Sequence, residues 1–276
     1  MDIKSVLIAN NFHYNKALGQ NFITDVNLLD AIVKDAGVTS EDVVVEIGTG
    51  AGSLTRALGR VAKRVASFEV DDNLRPVLAT TLADLPNVEV VFADVLKMSD
   101  EDIKSKVLGP FKVVANLPYY ITTQLLMRFV ESDLDVTDLT CMIQKEVADR
   151  LTAKAGTADY GAVTVAVDAV GYGSILRVVN KNMFFPVPKV DSALYHLRID
   201  REKFDIKDMR LFKKTVRAAF LWRRKTLANN LQSAFSITKS QAEEILIGLG
   251  YDPMIRGERL SAEEFVRLSE RLKDNA

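Results

Sequence analysis

The sequence is poor in the residues that build metal and redox sites. Its 276 residues include one cysteine, Cys141, and two histidines, His13 and His196. A single cysteine excludes an internal disulfide framework and a cysteine-rich zinc site. Two histidines far apart in the chain argue against a histidine-based metal centre. No apolar run approaches the roughly 18 residues of a membrane-spanning helix. The opening segment, MDIKSVLIANNF, lacks the apolar core of a secretory signal. It is not the arginine-rich, acid-free stretch of a mitochondrial transit peptide either. These absences lead to the expectation of a cytoplasmic protein, free of metal and of membrane.

What is present suits one large domain, or one domain with an appendage. Apolar residues make up 48% and charged residues 26%, enough of each for a packed core and an ordinary surface. The net charge of −1 hides an asymmetry. The stretch KDMRLFKKTVRAAFLWRRK (207–225) holds eight basic residues and one acidic. A basic part on an acidic body points to a polyanionic partner, against the plainer reading of a solvated helix face.

Apolar runs recur up to about residue 200: VVVEI (43–47), RVASFEV (64–70), VEVVFA (88–93), FKVVA (111–115) and LTCMIQ (139–144). Helical patterns lie between them at 26–36, 53–62, 73–83 and 122–131. Continuous apolar strands alternating with helices predict an α/β fold whose mostly parallel sheet is covered on both faces. GAVTVAVDAV (161–170), ILRVV (175–179) and SALYHLRI (192–199) read as late strands, with an antiparallel pair at one edge. Beyond 200 only helical patterns remain, with Ser240/Glu243 and Ser261/Glu264 as candidate capping boxes. The change of pattern sets a boundary between residues 1–200 and 201–276. Cys141 and Met142 fall in a strand and read as core.

The first strand runs into VEIGTGAGSLT (45–55), where Gly48, Gly50 and Gly52 alternate ahead of a helix. Glycine there lets a ligand approach the main chain closely. The dinucleotide pattern fails at Ser53, and the lysine of a phosphate-binding loop is missing. The turn therefore suits a nucleoside better than a polyphosphate. Glu69 ends the second strand, where a carboxylate can accept from both hydroxyls of a ribose. Asp94 ends the third, where it can accept from the exocyclic amine of adenine. All three features sit at carboxyl ends of successive parallel strands, the ligand-binding edge of open α/β sheets.

The fourth strand runs into Asn116-Leu117-Pro118-Tyr119. A turn uses Asn and Pro but has no need of Tyr119 and Tyr120. The tetrad resembles the N/D-x-P-Y/F motif of adenine-N6 methyltransferases. The lone pair of an aryl amine is delocalised into its ring. Asn116 Oδ1 and the Leu117 carbonyl, held by Pro118, can each accept one N–H and draw the nitrogen toward tetrahedral geometry. Tyr119 supplies a face on which a base can stack. Tyr120 reads as packing.

With KALGQNF (16–22), FEVD (68–71), ADV (93–95), FFPVPKVDSAL (184–194) and FLWRRKTLANNL (220–231), the chain resembles the ribosomal RNA adenine dimethyltransferases along nearly its whole length. The resemblance implies a class I methyltransferase sheet, S-adenosylmethionine as cofactor and a small helical C-terminal domain. It implies dimethylation of two adjacent adenosines near the 3′ end of 16S ribosomal RNA, by a monomer acting on the small subunit or its precursor. Asn21 and Ile23 would close over the cofactor, with Gly48 on its methionine portion, Glu69 on ribose and Asp94 on adenine. Asn116 would serve cofactor and target amine. Phe184 would stack opposite Tyr119, with Phe185 as the adjacent competitor. Arg223, Arg224 and Lys225, read as consecutive helical positions, would reach RNA phosphate. A 23S-specific relative, a non-catalytic assembly factor and a small-molecule methyltransferase remain the alternatives.

Overall fold

The computed structural model describes residues 3–10, 12 and 19–273. His13 and the first three residues of KALGQNF lie outside them. The strands are β1 (Phe22–Ile23), β2 (Val43–Ile47), β3 (Arg64–Glu69), β4 (Val88–Phe92), β5 (Phe111–Asn116), β6 (Val136–Gln144), β7 (Gly171–Val179), β8 (Phe184–Phe185) and β9 (Ser192–Ile199). The helices are α1 (Ile3–Ala9), α2 (Val26–Asp35), α3 (Ser53–Gly59), α4 (Arg75–Thr81), α5 (Asp100–Val107), α6 (Thr122–Val130), α7 (Lys145–Leu151), α8 (Ala162–Asp168), α9 (Met209–Ala219), α10 (Leu227–Ala234), α11 (Lys239–Gly248) and α12 (Ala262–Arg271).

Seven strands form one sheet in the order β4-β3-β2-β5-β6-β9-β7. Pairs β2–β3, β3–β4, β2–β5 and β5–β6 are parallel, and β9 runs antiparallel to β6. From β2 the chain moves outward through β3 and β4, then returns to place β5 on the other side of β2. That reversal opens a crevice at the carboxyl ends of β2 and β5, where such sheets hold ligands. The central strands are sealed on both faces: Val44, Val45, Val65 and Ala66 are all 0% exposed. Their apolar side chains carry no alternation because neither face meets water. Ile32, Val44, Leu58, Val114 and Leu194 share one core cluster. β1 pairs antiparallel with β8, setting Ile23 opposite Phe184.

The structure departs from the sequence pattern at several elements. Residues 161–170 have the period of a strand, yet Ala162–Asp168 are helical. The alternating valines mimic a strand, but Thr164, Val165 and Val167 are buried on a helix packed against α9 and α12. Tertiary packing outweighs β-propensity there. The acid-rich α5 has no counterpart among the expected helices, although Ser99 and Asp102 form its capping box. The box expected at Ser240/Glu243 is made instead by Thr238 and Gln241, while the Ser261/Glu264 box is present.

The chain divides into two compact units, Met1–Ala148 with Ser174–Ile199, and Asp149–Gly173 with Asp200–Ala276. The expected division at 200 matches one crossing point and omits the excursion 149–173. Within the second unit, the Tyr160 hydroxyl donates to the Leu260 carbonyl at 2.9 Å, and its ring lies 6.2 Å from that of Phe220. Among the described residues no helix is long and apolar enough to cross a membrane.

Candidate active site

A cavity of about 560 Å³ lies in the first unit at the carboxyl ends of β2, β3, β4 and β5. Its floor is the glycine turn. Gly48, Gly50 and Gly52 have φ of 80°, 55° and 87°, a region side chains disfavour. A Cβ added at Gly50 would sit 2.8 Å from the Phe22 ring. Ser53 lines the cavity, and its Oγ is buried without a hydrogen-bond partner among the described residues.

Glu69 organises the turn. Its Oε2 accepts from the Gly50 N–H at 2.8 Å, and Oε1 accepts from Val70 and Asp71 N–H at 2.8 and 2.9 Å. Burial holds this carboxyl above the usual range, against the pull of those three donors. A carboxylate offers about four lone-pair sites. Three are taken, which leaves Oε2 with acceptor capacity beyond its bond to Gly50. Gln20 Nε2 donates to Asp71 Oδ2 at 2.9 Å, tying the N-terminal motif to the same corner. Asp94 also lines the cavity, with its Oδ1 on the Leu96 N–H at 3.1 Å and its Oδ2 3.2 Å from Lys97.

Glu46 lies within the VEIGTGAGSLT motif, where the sequence pattern assigns it no role. It is 1% exposed, lines the cavity and is pushed up to about 8 by burial. Ser67 donates to its Oε2 at 2.7 Å, which leaves the Thr49 hydroxyl, 2.7 Å from Ser67 Oγ, to donate in turn. The one visible signal is an acid inside an otherwise apolar strand.

At the far wall, Asn116 Nδ2 donates to the Asn21 carbonyl at 2.7 Å. That bond uses one of the amide's two N–H groups and orients it with Oδ1 as the acceptor, which has no hydrogen bond among the described residues. The Leu117 N–H is fixed on the Met142 carbonyl at 3.1 Å. The Pro118 carbonyl accepts from Thr122 Oγ1 at 3.0 Å, so the loop is braced from behind. The half-buried Tyr119 places its hydroxyl 2.6 Å from Ser192 Oγ, and burial raises its pKa further. The ring is thereby held at the cavity wall as a neutral phenol. Asn21, Ile23, Gly48, Glu69, Asp94 and Asn116 through Tyr119 all line this one cavity.

Two expectations from the sequence need correction. Phe184 is 2% exposed within the core cluster and does not line the cavity, so it has no open face for a base. Its pairing with Ile23 turns it inward, and Phe185 is the exposed ring at 38%. Arg223, Arg224 and Lys225 are not helical. They lie in the turn between α9 and α10. Arg223 donates to the Ala158 carbonyl at 2.7 Å, and Lys225 Nζ sits 4.1 Å over the Trp222 ring. Arg224 is exposed, with no partner among the described residues.

The family profile described as ribosomal RNA adenine dimethylase matches residues 11–274. The ribosomal RNA small subunit methyltransferase A of Clostridioides difficile is 45% identical over 96% of this chain and 93% of its own length. That of Enterococcus faecalis is 45% identical over 99% and 95%. Among solved structures, a dimethyladenosine transferase from Plasmodium falciparum aligns with TM-score 0.77 at 24% identity, covering 91% of this chain and 96% of the other. The 23S rRNA methyltransferase ErmE aligns with TM-score 0.68 at 28% identity, covering 91% and 99%. The α/β fold is therefore the class I methyltransferase sheet that the family resemblance implied. With a profile spanning almost the whole chain and relatives this similar along it, the chain belongs to the ribosomal RNA adenine dimethylase family.

Proposed function

We propose that this S-adenosylmethionine-dependent methyltransferase dimethylates N6 of two adjacent adenosines near the 3′ end of 16S ribosomal RNA, within a small-subunit particle or its precursor. One observation carries the chemistry: Asn116 gives an N–H to the Asn21 carbonyl, which fixes its amide at the cavity wall with Oδ1 as the acceptor, and Leu117 lines the same wall. Asn116 Oδ1 together with the Leu117 carbonyl would suit an amine with two N–H groups. Accepting both draws N6 out of conjugation and frees its lone pair. Tyr119, pinned through Ser192, offers the ring on which the adenine stacks.

The cavity's own features fit the cofactor. The glycine turn has no space for a Cβ at Gly50, Glu69 Oε2 keeps acceptor capacity for ribose, and Ser53 Oγ lacks a protein partner among the described residues. When bound, S-adenosylmethionine supplies an electrophilic methyl group with a good leaving group. Asp94 would hold its adenine and Gly48 its methionine portion, and Asn21 and Ile23 would cover it. Asn116 orients the target nitrogen. Phe184 serves as packing, and Phe185 is the exposed ring of the pair, although neither lines the cavity.

Relatives named for the small subunit, 45% identical to this chain, support 16S over 23S RNA as substrate. Mass spectrometry of both RNAs from cells lacking the protein tests this. Loss of paired dimethyladenosine from 16S alone is expected. Loss from 23S, or from neither, overturns the assignment.

A further inference from the structure

The second unit carries a concavity of about 880 Å³ that none of the assigned site residues enters. α9 builds one side of it. Leu211, Phe212, Thr215, Val216, Ala218 and Ala219 are buried, so the helix turns a different face outward. That face holds Arg210, Lys213, Lys214 and Arg217, all lining the concavity. Their spacing of three, four and seven residues aligns them along one stripe. At about 1.5 Å per residue the stripe runs roughly 10 Å. That length suits a short run of sugar–phosphate backbone better than one isolated anion. The lining contains a single carboxylate, Asp208, and it is occupied as the N-cap, accepting the Leu211 N–H at 2.9 Å. Arg210 and Lys214 have no carboxylate partner among the described residues. Lys214 rests 4.3 Å over the Phe235 ring, which holds its ammonium without neutralising it. Met209 and Leu221 also line the concavity and are 37% and 51% exposed, apolar walls against which riboses can lie. Mixed charge on a flat face would mark an ordinary solvated helix. This face has four cations, a hollow and exposed apolar rims.

We infer that the α9 groove is a docking site for the phosphate backbone of a ribosomal RNA helix, separate from the strand that enters the active site and read without regard to sequence. The inference rests on the assignment of ribosomal RNA as substrate. It gives the enzyme a second grip, which places the particle while the active-site cavity selects the adenosine. Lysine and arginine at such a site act through counterion release, so the signature is the salt dependence of binding.

The test compares full-length wild type with the quadruple variant Arg210→Gln, Lys213→Gln, Lys214→Gln and Arg217→Gln. Binding to small ribosomal subunits, and to an RNA hairpin of unrelated sequence, is measured across a potassium chloride series. The slope of log K against log salt should fall by roughly 2–4, about 0.9 for each phosphate no longer neutralised. S-adenosylmethionine affinity and melting temperature should hold. If the quadruple variant melts early, the pair Arg210→Gln and Lys214→Gln carries the test, with a slope change of about 1–2. An unchanged slope overturns the groove. So does a variant that loses binding to polyglutamate but keeps RNA, which would mark the face as a protein-binding surface. A wild type that methylates no ribosomal RNA, yet binds the hairpin through this groove, would instead overturn the substrate assignment and leave the groove standing.

Discussion

Replacing Glu69 with alanine removes an acceptor that the Gly50, Val70 and Asp71 N–H groups already use. The loss therefore reaches beyond the cofactor. Three donors in a buried corner lose their partner, so Glu69→Ala should melt earlier as well as bind S-adenosylmethionine more weakly. A charge-assisted bond is worth about 1–3 kcal/mol, or roughly 5- to 150-fold in affinity. Glu69→Gln keeps one acceptor oxygen and should recover part of the melting temperature and less of the affinity. Calorimetry with wild-type affinity in both variants would remove Glu69 from the cofactor site. Asn116 separates chemistry from grip. Asn116→Ala also releases the Asn21 carbonyl, so the cofactor must be saturating. Under that condition single-turnover methyl transfer should drop by on the order of a hundredfold or more, with RNA affinity kept. Glu46 adds a pH dependence. Its carboxyl titrates at about 8 when folded, against an ordinary value of 4.5. Between those values the folded protein holds a proton that the unfolded chain has released. The stability linked to Glu46 is thus fully present below about 4.5 and is lost as pH rises through about 8. Glu46→Gln cannot titrate, so urea unfolding across that window should find wild type losing ground to the variant as pH rises. A constant difference between the two would contradict the raised value.

At the scale of elements, the turn after α9 holds three basic residues with three different environments. Arg223 is tied to the Ala158 carbonyl, Lys225 lies over Trp222, and Arg224 is exposed. Arg223→Ala should therefore cost about 1 kcal/mol of stability for the lost hydrogen bond, with a small change in RNA binding. Arg224→Ala should leave melting unchanged and lower the salt slope of RNA binding by about 1. Measuring both quantities on both variants tests the division, and a shared effect on one of them would refute it. Sequence could not separate these residues, because a run of cations has the same charge whatever its backbone does. The same limit explains 161–170, where alternating valines fit a strand by period and a packed helix by context. β2, β3 and β5 were legible because burial on both faces leaves an apolar run with no other use. Their carboxyl ends were legible too. Glycine turn, Glu69, Asp94 and Asn116 each stand where a strand stops, and the fold converges them. Phe184 was not, since one aromatic beside another carries no sign of which faces inward. Glu46 was hidden by its position within an apolar strand, where an acid reads as an exception before its neighbours are known.

At the scale of the whole molecule, the second compact unit is not continuous in sequence, and this has consequences for fragments. Residues 149–173 supply packing that 200–276 cannot replace. Tyr160, 3% exposed, packs on Phe220, which lies 5.9 Å from Phe265, and its hydroxyl satisfies the Leu260 carbonyl. The Gly156 N–H donates to the Glu258 carbonyl at 2.7 Å. Lys203 meets Asp168 at 2.6 Å. A chain cut at the boundary drawn from charge and helical pattern would expose the Phe220 and Phe265 rings and orphan these backbone groups. Domains below about 70–80 residues have little hydrophobic stabilisation in reserve. The fragment 201–276 should therefore give no cooperative thermal transition by circular dichroism. Joining 149–173 to 200–276 through a short glycine–serine linker should restore one. A cooperative transition in the shorter fragment would mean that the excursion decorates the unit without completing its core.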